Sequence, residues 1–170
     1  MEHFAQWLAQ TDVSVAIQTH LWVIPAIQSV HIVAIGVVLS SVLMVDLRIF
    51  GYAGRDLTMP QTVRRFGSWL WGALGVLLIT GIVMITGEPV RELMSLSFWL
   101  KMMQLAIGIA LALMFQRALR HNAQRWDHAV SARVKFLAIV TLIVWLSIIF
   151  LGRLIAYDHV WGSWSMRPLE

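Results

Sequence analysis

Four continuous apolar runs decide what this chain can become. They cover about residues 21–50, 66–87, 98–116 and 136–157, each near the roughly 20 helical residues that cross a hydrocarbon core of about 30 Å. The runs do not alternate polar and apolar with period two, so a transmembrane barrel is not expected. The connectors between them, 51–65, 88–97 and 117–135, are too short to hold a second folded domain. The expectation is an all-α integral membrane four-helix bundle, one transmembrane domain over residues 1–170, with neighbouring helices antiparallel. Composition excludes the alternatives. Hydrophobic residues make up 59% and charged residues 13% of the 170, against roughly 45–50% and 25% in soluble domains. A soluble fold of this size has too much surface to hide such a load, and a disordered chain carries far less of it. With no cysteine, disulfides, thiolate nucleophiles, iron–sulfur clusters, Cys-ligated zinc and covalent c-type haem attachment are excluded.

The first twenty residues carry no Lys or Arg, and no small-residue cleavage site follows the first run, so a cleavable signal peptide is not expected. Phe4, Trp7 and Leu8 instead form one apolar stripe, which predicts a short interfacial helix lying on the membrane surface. Thr11 and Asp12 are suited to cap the helix leading into the first span. Nine of the 13 basic residues fall in or beside the connectors after spans one and three: Arg48, Arg55, Arg64, Arg65, Arg117, Arg120, Arg125, Arg133 and Lys135. That asymmetry predicts cytoplasmic basic loops and both termini on the periplasmic side of a bacterial inner membrane. The net charge of +4 thus reflects topology and contact with membrane lipids, and no nucleic-acid partner is expected. Trp22, Trp99, Trp161 and Trp164 fit an outer aromatic belt, and Trp126 an inner one. Gly67, Gly72, Gly75 and Gly81 in span two, with Gly108 and Ala112 in span three, predict close helix packing and a homo- or hetero-oligomeric contact.

An ionisable group inside hydrocarbon costs at least a few kcal/mol, so each one asks for a partner or a purpose. His31 lies three residues outward of the span-one midpoint near Ala34, about 4–5 Å at 1.5 Å per residue. Gln28 sits one turn further out, and His20 three turns out. Thr80, Gln104 and Ser147 fall at about the depth of His31. Lys101, Arg153 and Glu88 come one or two turns nearer the outside, with Asp158 and His159 beyond. Glu88 can neutralise Lys101 or Arg153, and both cations can snorkel to headgroups. At the inner end Asp46 is expected to reach Arg64 or Arg65, while His121 and His128, seven apart, are too widely spaced for a metal pair.

The outer cluster suits two cofactors. A haem b would take His31 as an iron ligand and Lys101 and Arg153 for its propionates, with Met84, Met102 or Met103 as a second ligand. A quinone needs less: His31 as a donor to one carbonyl, a second donor in Gln104, and an apolar slot. The site read from the sequence is therefore His31, Gln28, Gln104, Lys101, Arg153 and Glu88. The alternative is a structural or assembly subunit of a larger membrane complex, with His31 hydrogen-bonded to Thr80 or Ser147. A proton or solute carrier would call for more buried carboxylates. No nucleophile–base pair, phosphate loop or HExxH helix supports hydrolase or NTPase chemistry, and whether the chain is an enzyme is left open.

Four short stretches carry a resemblance: Ala26-Ile27-Gln28-Ser29-Val30-His31 followed by Val45-Asp46-Leu47-Arg48, then Phe98-Trp99-Leu100-Lys101-Met102, then Gly152-Arg153-Leu154-Ile155-Ala156-Tyr157. Through them the chain resembles an uncharacterised family of bacterial four-helix inner-membrane proteins, a domain of unknown function, over nearly its whole length. The resemblance implies a fold and recurring polar positions but no activity. Family members often carry an acidic residue where this chain has Gln28, so the resemblance implies no carboxylate–imidazole relay here.

Overall fold

The computed structural model describes residues 1–54, 56–128 and 130–155, with the side chains of 119–128 excepted. Asp158, His159, Trp161 and Trp164, and the side chains of His121, Trp126 and His128, lie outside the described residues. Seven helices follow one another, and no strand occurs among the described residues: α1 (Glu2–Ala9), α2 (Asp12–Thr19), α3 (Val23–Phe50), α4 (Met59–Gly87), α5 (Pro89–Leu93), α6 (Leu96–His128) and α7 (Ala132–Leu154).

Local chemistry sets the helix ends. Thr11 caps α2, its side chain accepting from the Ser14 backbone N–H at 3.4 Å. That helix does not lead into the first span as expected; it stops at Thr19, and α3 starts afresh at Val23. Pro25 explains the break, because its ring has no N–H to give the carbonyl of Leu21 and collides with it. At the far end of α3, Gly51 turns left-handed with φ 78°, and the Tyr52 N–H returns to the Leu47 carbonyl at 2.8 Å, a glycine stop that side chains with a Cβ resist. The second spanning helix begins at Met59, ahead of its apolar run, because Thr58 and Gln61 form a reciprocal capping box with Pro60 in the first turn. Helix α6 continues to His128, past the expected end of its span. Residues 117–128 hold neither Gly nor Pro, so nothing in the backbone stops it.

Helices α3, α4, α6 and α7 form the bundle. Helix α3 packs on α4 and α7, α4 also packs on α6, and α6 on α7, which closes a ring of four. The inner core joins Val38, Val42, Leu70, Ala73, Trp145 and Ile148, and a second cluster of Ile49, Met59 and Ala138 lies nearer the arginine-rich end. The outer surface is also apolar. Trp69, Ile143 and Phe150 are 64%, 59% and 65% exposed, an arrangement that water penalises and lipid does not. Each of the four bundle helices is long and apolar enough to cross a membrane. The chain is a multi-pass membrane protein.

Helices α1, α2 and α5 close one end of this bundle. Ala5 of α1 is fully buried, on a helix that packs against α5, while Phe4 and Trp7 remain exposed. Helix α2 is tied down by the Ser14 hydroxyl, which donates to the Thr86 carbonyl at 2.7 Å. Gly87 is needed here: a Cβ would stand 2.5 Å from Ile24 Cδ1 and 2.8 Å from Ile17 Cγ2.

Candidate functional site

Polar residues from the four bundle helices meet in the capped half. The spacing of His31 on α3 and Thr80 on α4 brings both to one level of the α3–α4 seam. There the His31 Nδ1 and Thr80 Oγ1 are 2.7 Å apart. Thr80 is 4% exposed, and its hydroxyl donates to the Val76 carbonyl at 2.8 Å, the back-bond usual for a helical threonine. That proton is therefore spent, so Thr80 accepts from His31 Nδ1–H. The assignment follows from the hydrogen-bond geometry. It leaves Nε2 as a bare lone pair, and no hydrogen bond reaches Nε2 among the described residues. The ring edge faces Gly81, where a Cβ would lie 4.0 Å from Cε1.

Across the bundle, the Ser147 hydroxyl of α7 lies 2.8 Å from both Gln104 Oε1 of α6 and its own Val144 carbonyl, so two acceptors compete for its one proton. One turn toward the capped end, the Lys101 stem crosses Gly152, whose missing Cβ would be 3.6 Å from Nζ. The Lys101 charge acts on both His31 and Glu92. Glu92 is 5% exposed. Burial pushes its carboxyl above the ordinary 4.5, and the Arg91 and Lys101 charges pull it back only in part.

Glu92 is the residue that sequence reasoning missed. Pro89 opens α5 directly behind α4, so Glu88, Arg91 and Glu92 share less than two turns. Arg91 forms an ion pair with Glu88 and stands 3.5 Å from Glu92. Glu88 is thus engaged by Arg91, not by Lys101 or Arg153 as expected. The i, i+4 pair of acids straddling an arginine after a proline was the available signal. Glu92 also changes the charge balance, because it sets a second carboxylate against the Lys101 charge that acts on His31. Arg153 is exposed near the end of α7, and Gln28 is half-buried one turn from His31. Met103 is 56% exposed. The structure therefore hydrogen-bonds His31 to Thr80 and Gln104 to Ser147, while Lys101 and Glu92 interact only through their charges.

At the arginine-rich end, Asp46 does not reach Arg64 or Arg65. Both arginines are exposed, whereas Asp46 is 6% exposed and its Oδ2 has no hydrogen-bond partner. The reason is azimuth. Asp46 shares the inward face of α3 with Ser41, Val42 and Ile49, all buried, whereas Arg64 and Arg65 turn outward.

No curated protein and no solved structure matches the chain. A family model described as a family of unknown function matches residues 8–158, a stretch that holds all four bundle helices and every residue of the polar cluster. The chain belongs to that family, DUF6644.

Proposed function

We propose that this membrane protein binds a lipid-soluble hydroxyl-bearing ligand, of the quinol class, beside His31. The observation that carries the reading is the Thr80 contact. With Nδ1–H committed to Thr80 at 2.7 Å, His31 offers the interior of a lipid-embedded bundle a lone pair that can accept a quinol O–H. Gln28 supplies a further polar group one turn away, and the interior of a lipid-embedded bundle is an apolar setting of the kind small-molecule sites use. The same lone pair could ligate a haem iron, since metal-bound histidines commonly donate their other nitrogen to a fixed partner. Propionates would also need free cations. Glu92 offsets Lys101, and Arg153 is exposed, so the charge balance favours a neutral headgroup over haem.

The experiment is extraction. Protein purified in mild detergent is expected to release a quinone or quinol into organic solvent, and His31→Ala is expected to lose it. A Soret band in wild type, absent from His31→Ala, would replace quinol by haem. A colourless protein with no extractable quinone would leave the second reading, a structural or assembly subunit. That reading rests on the pairing of Ser147 with Gln104 and of Thr80 with His31, which satisfies most of the cluster internally. In either case we place the chain in a bacterial inner membrane with both termini periplasmic, on the arginine asymmetry and the positive-inside rule.

A further inference from the structure

The arginine-rich half of the bundle is not packed shut. A half-open cavity of about 60 Å³ lies there, bounded by residues from all four bundle helices. Its lining is almost wholly apolar. Asp46 and Trp145 border it, but the unpartnered Asp46 Oδ2 and Trp145 Nε1 are buried and present almost no surface to the space. Water finds too few polar partners in such a place to settle, and a dry void forfeits the dispersion contacts of its walls. Hydrocarbon fills it without either cost.

The opening has a side. The walls contributed by α3 and α7 are mostly buried, whereas Leu111, Phe115 and Gln116 of α6 and Phe66 of α4 are half-buried. The residual exposure gathers at the seam between α4 and α6, the least tightly packed of the ring. That seam leads to three arginines. Arg64 and Arg65 stand between the lining residues Val63 and Phe66 on α4, and Arg117 follows Gln116 on α6. All three are exposed, and none is ion-paired among the described residues. They flank the apolar runs of both helices, which end at residues 66 and 116, and so stand at the edge of the hydrocarbon. Leu70, the deepest α4 residue of the lining, is about 7–8 Å beyond Arg65 at 1.5 Å per residue. A chain attached to a headgroup at the arginines reaches that far.

We propose that this seam binds one anionic phospholipid from the leaflet on the arginine-rich side. Its phosphate-bearing headgroup rests on Arg64, Arg65 and Arg117, and one acyl chain turns in between α4 and α6 to fill the cavity. Free phosphate would match the arginines and leave the cavity void. A neutral lipid would fill the cavity and leave three cations unmatched. An anionic headgroup on a hydrocarbon chain answers both, because the planar guanidinium pairs with phosphate oxygens and basic clusters at the membrane edge of a helix attract anionic lipid. The site lies at the opposite end of the bundle from His31 and is independent of the ligand proposed there.

Thermal unfolding of the full chain in mild detergent tests the assignment, with phosphatidylglycerol titrated against phosphatidylcholine carrying the same acyl chains. A ligand bound only by the folded state stabilises it by mass action. The wild-type midpoint is expected to rise by on the order of a few degrees for each tenfold increase in phosphatidylglycerol above half-saturation, and by clearly less with phosphatidylcholine. The joint change Arg64→Gln, Arg65→Gln and Arg117→Gln, at three exposed positions, is expected to bring the first slope down to the second. Ala112→Leu, which puts a larger side chain into the cavity lining, is expected to flatten the phosphatidylglycerol slope with the arginines intact. If Ala112→Leu does not fold, phosphatidylglycerol brominated along its acyl chains gives the second measurement. It is expected to quench Trp145, read as the difference between wild type and Trp145→Phe. Equal wild-type slopes for the two lipids overturn the proposal, as does an equal response to glycerol phosphate, which has no chain. So does a phosphatidylglycerol slope that survives undiminished in the arginine variant or in Ala112→Leu, or a Trp145 that brominated chains leave unquenched.

Discussion

Thr80 decides which edge of the His31 imidazole is hydrogen-bonded and which is left open, and Glu92 offsets the Lys101 charge that acts on it. Both act through burial. Glu92 sits on the buried side of α5 with its carboxyl held above the ordinary 4.5, so between that value and its raised value in the fold it binds more protons folded than unfolded. Stability is then highest on the acid side and falls as pH rises through that window. Replacing Glu92 with Gln is expected to remove this slope in a detergent unfolding series without lowering stability at neutral pH; an unchanged pH profile would show that Lys101 compensates the carboxylate fully. At this scale the sequence was informative about depth and silent about direction. Counting 1.5 Å per residue put His31, Thr80, Gln104 and Ser147 at one level, and two hydrogen bonds join them there. It could not show that Asp46 and Trp145 border one cavity. When every side of a helix is apolar, no polar face marks which side turns inward.

Helix α4 illustrates what an element adds. Of its five glycines, Gly67 meets Gln116, Gly81 meets the His31 ring and Gly87 meets Ile24, whereas a Cβ at Gly72 or Gly75 would meet nothing within 4 Å. Three glycines thus serve the interior and two are open to the surroundings. We propose the open pair as the seat of a homo- or hetero-oligomeric contact, since small residues let helix backbones approach closely. Because Gly75 faces open space, a leucine there fits the single chain without strain. Gly75→Leu is therefore expected to leave monomer stability within about 0.5 kcal/mol while reducing assembly in crosslinking or size-exclusion measurements in mild detergent. An identical assembly profile would rule this face out. The spans themselves were legible because continuous apolar length needs no partner to interpret. Their ends were less so: Thr58 and Gln61 begin α4 well ahead of its apolar run, and Pro25 severs α2 from α3 through backbone sterics that hydropathy ignores.

For the whole molecule, orientation is the property most open to a direct check. Ser131 is exposed at the start of α7, and the chain has no native cysteine to confuse the label. Ser131→Cys is expected to react with an impermeant maleimide only after cells are permeabilised, and labelling of intact spheroplasts would invert the topology. The positions of the two hydrogen-bonded pairs carry a consequence for biogenesis. His31 bonds to Thr80 in the adjacent helix, and Gln104 to Ser147 in the adjacent helix; no partner has to wait for a distant span. Each helical hairpin can therefore leave the translocon with its deepest histidine or glutamine already satisfied, two spans at a time. Assembly of the two hairpins then requires mainly the apolar closure of α7 against α3. That order keeps His31 and Gln104 from meeting lipid unpaired while the bundle assembles.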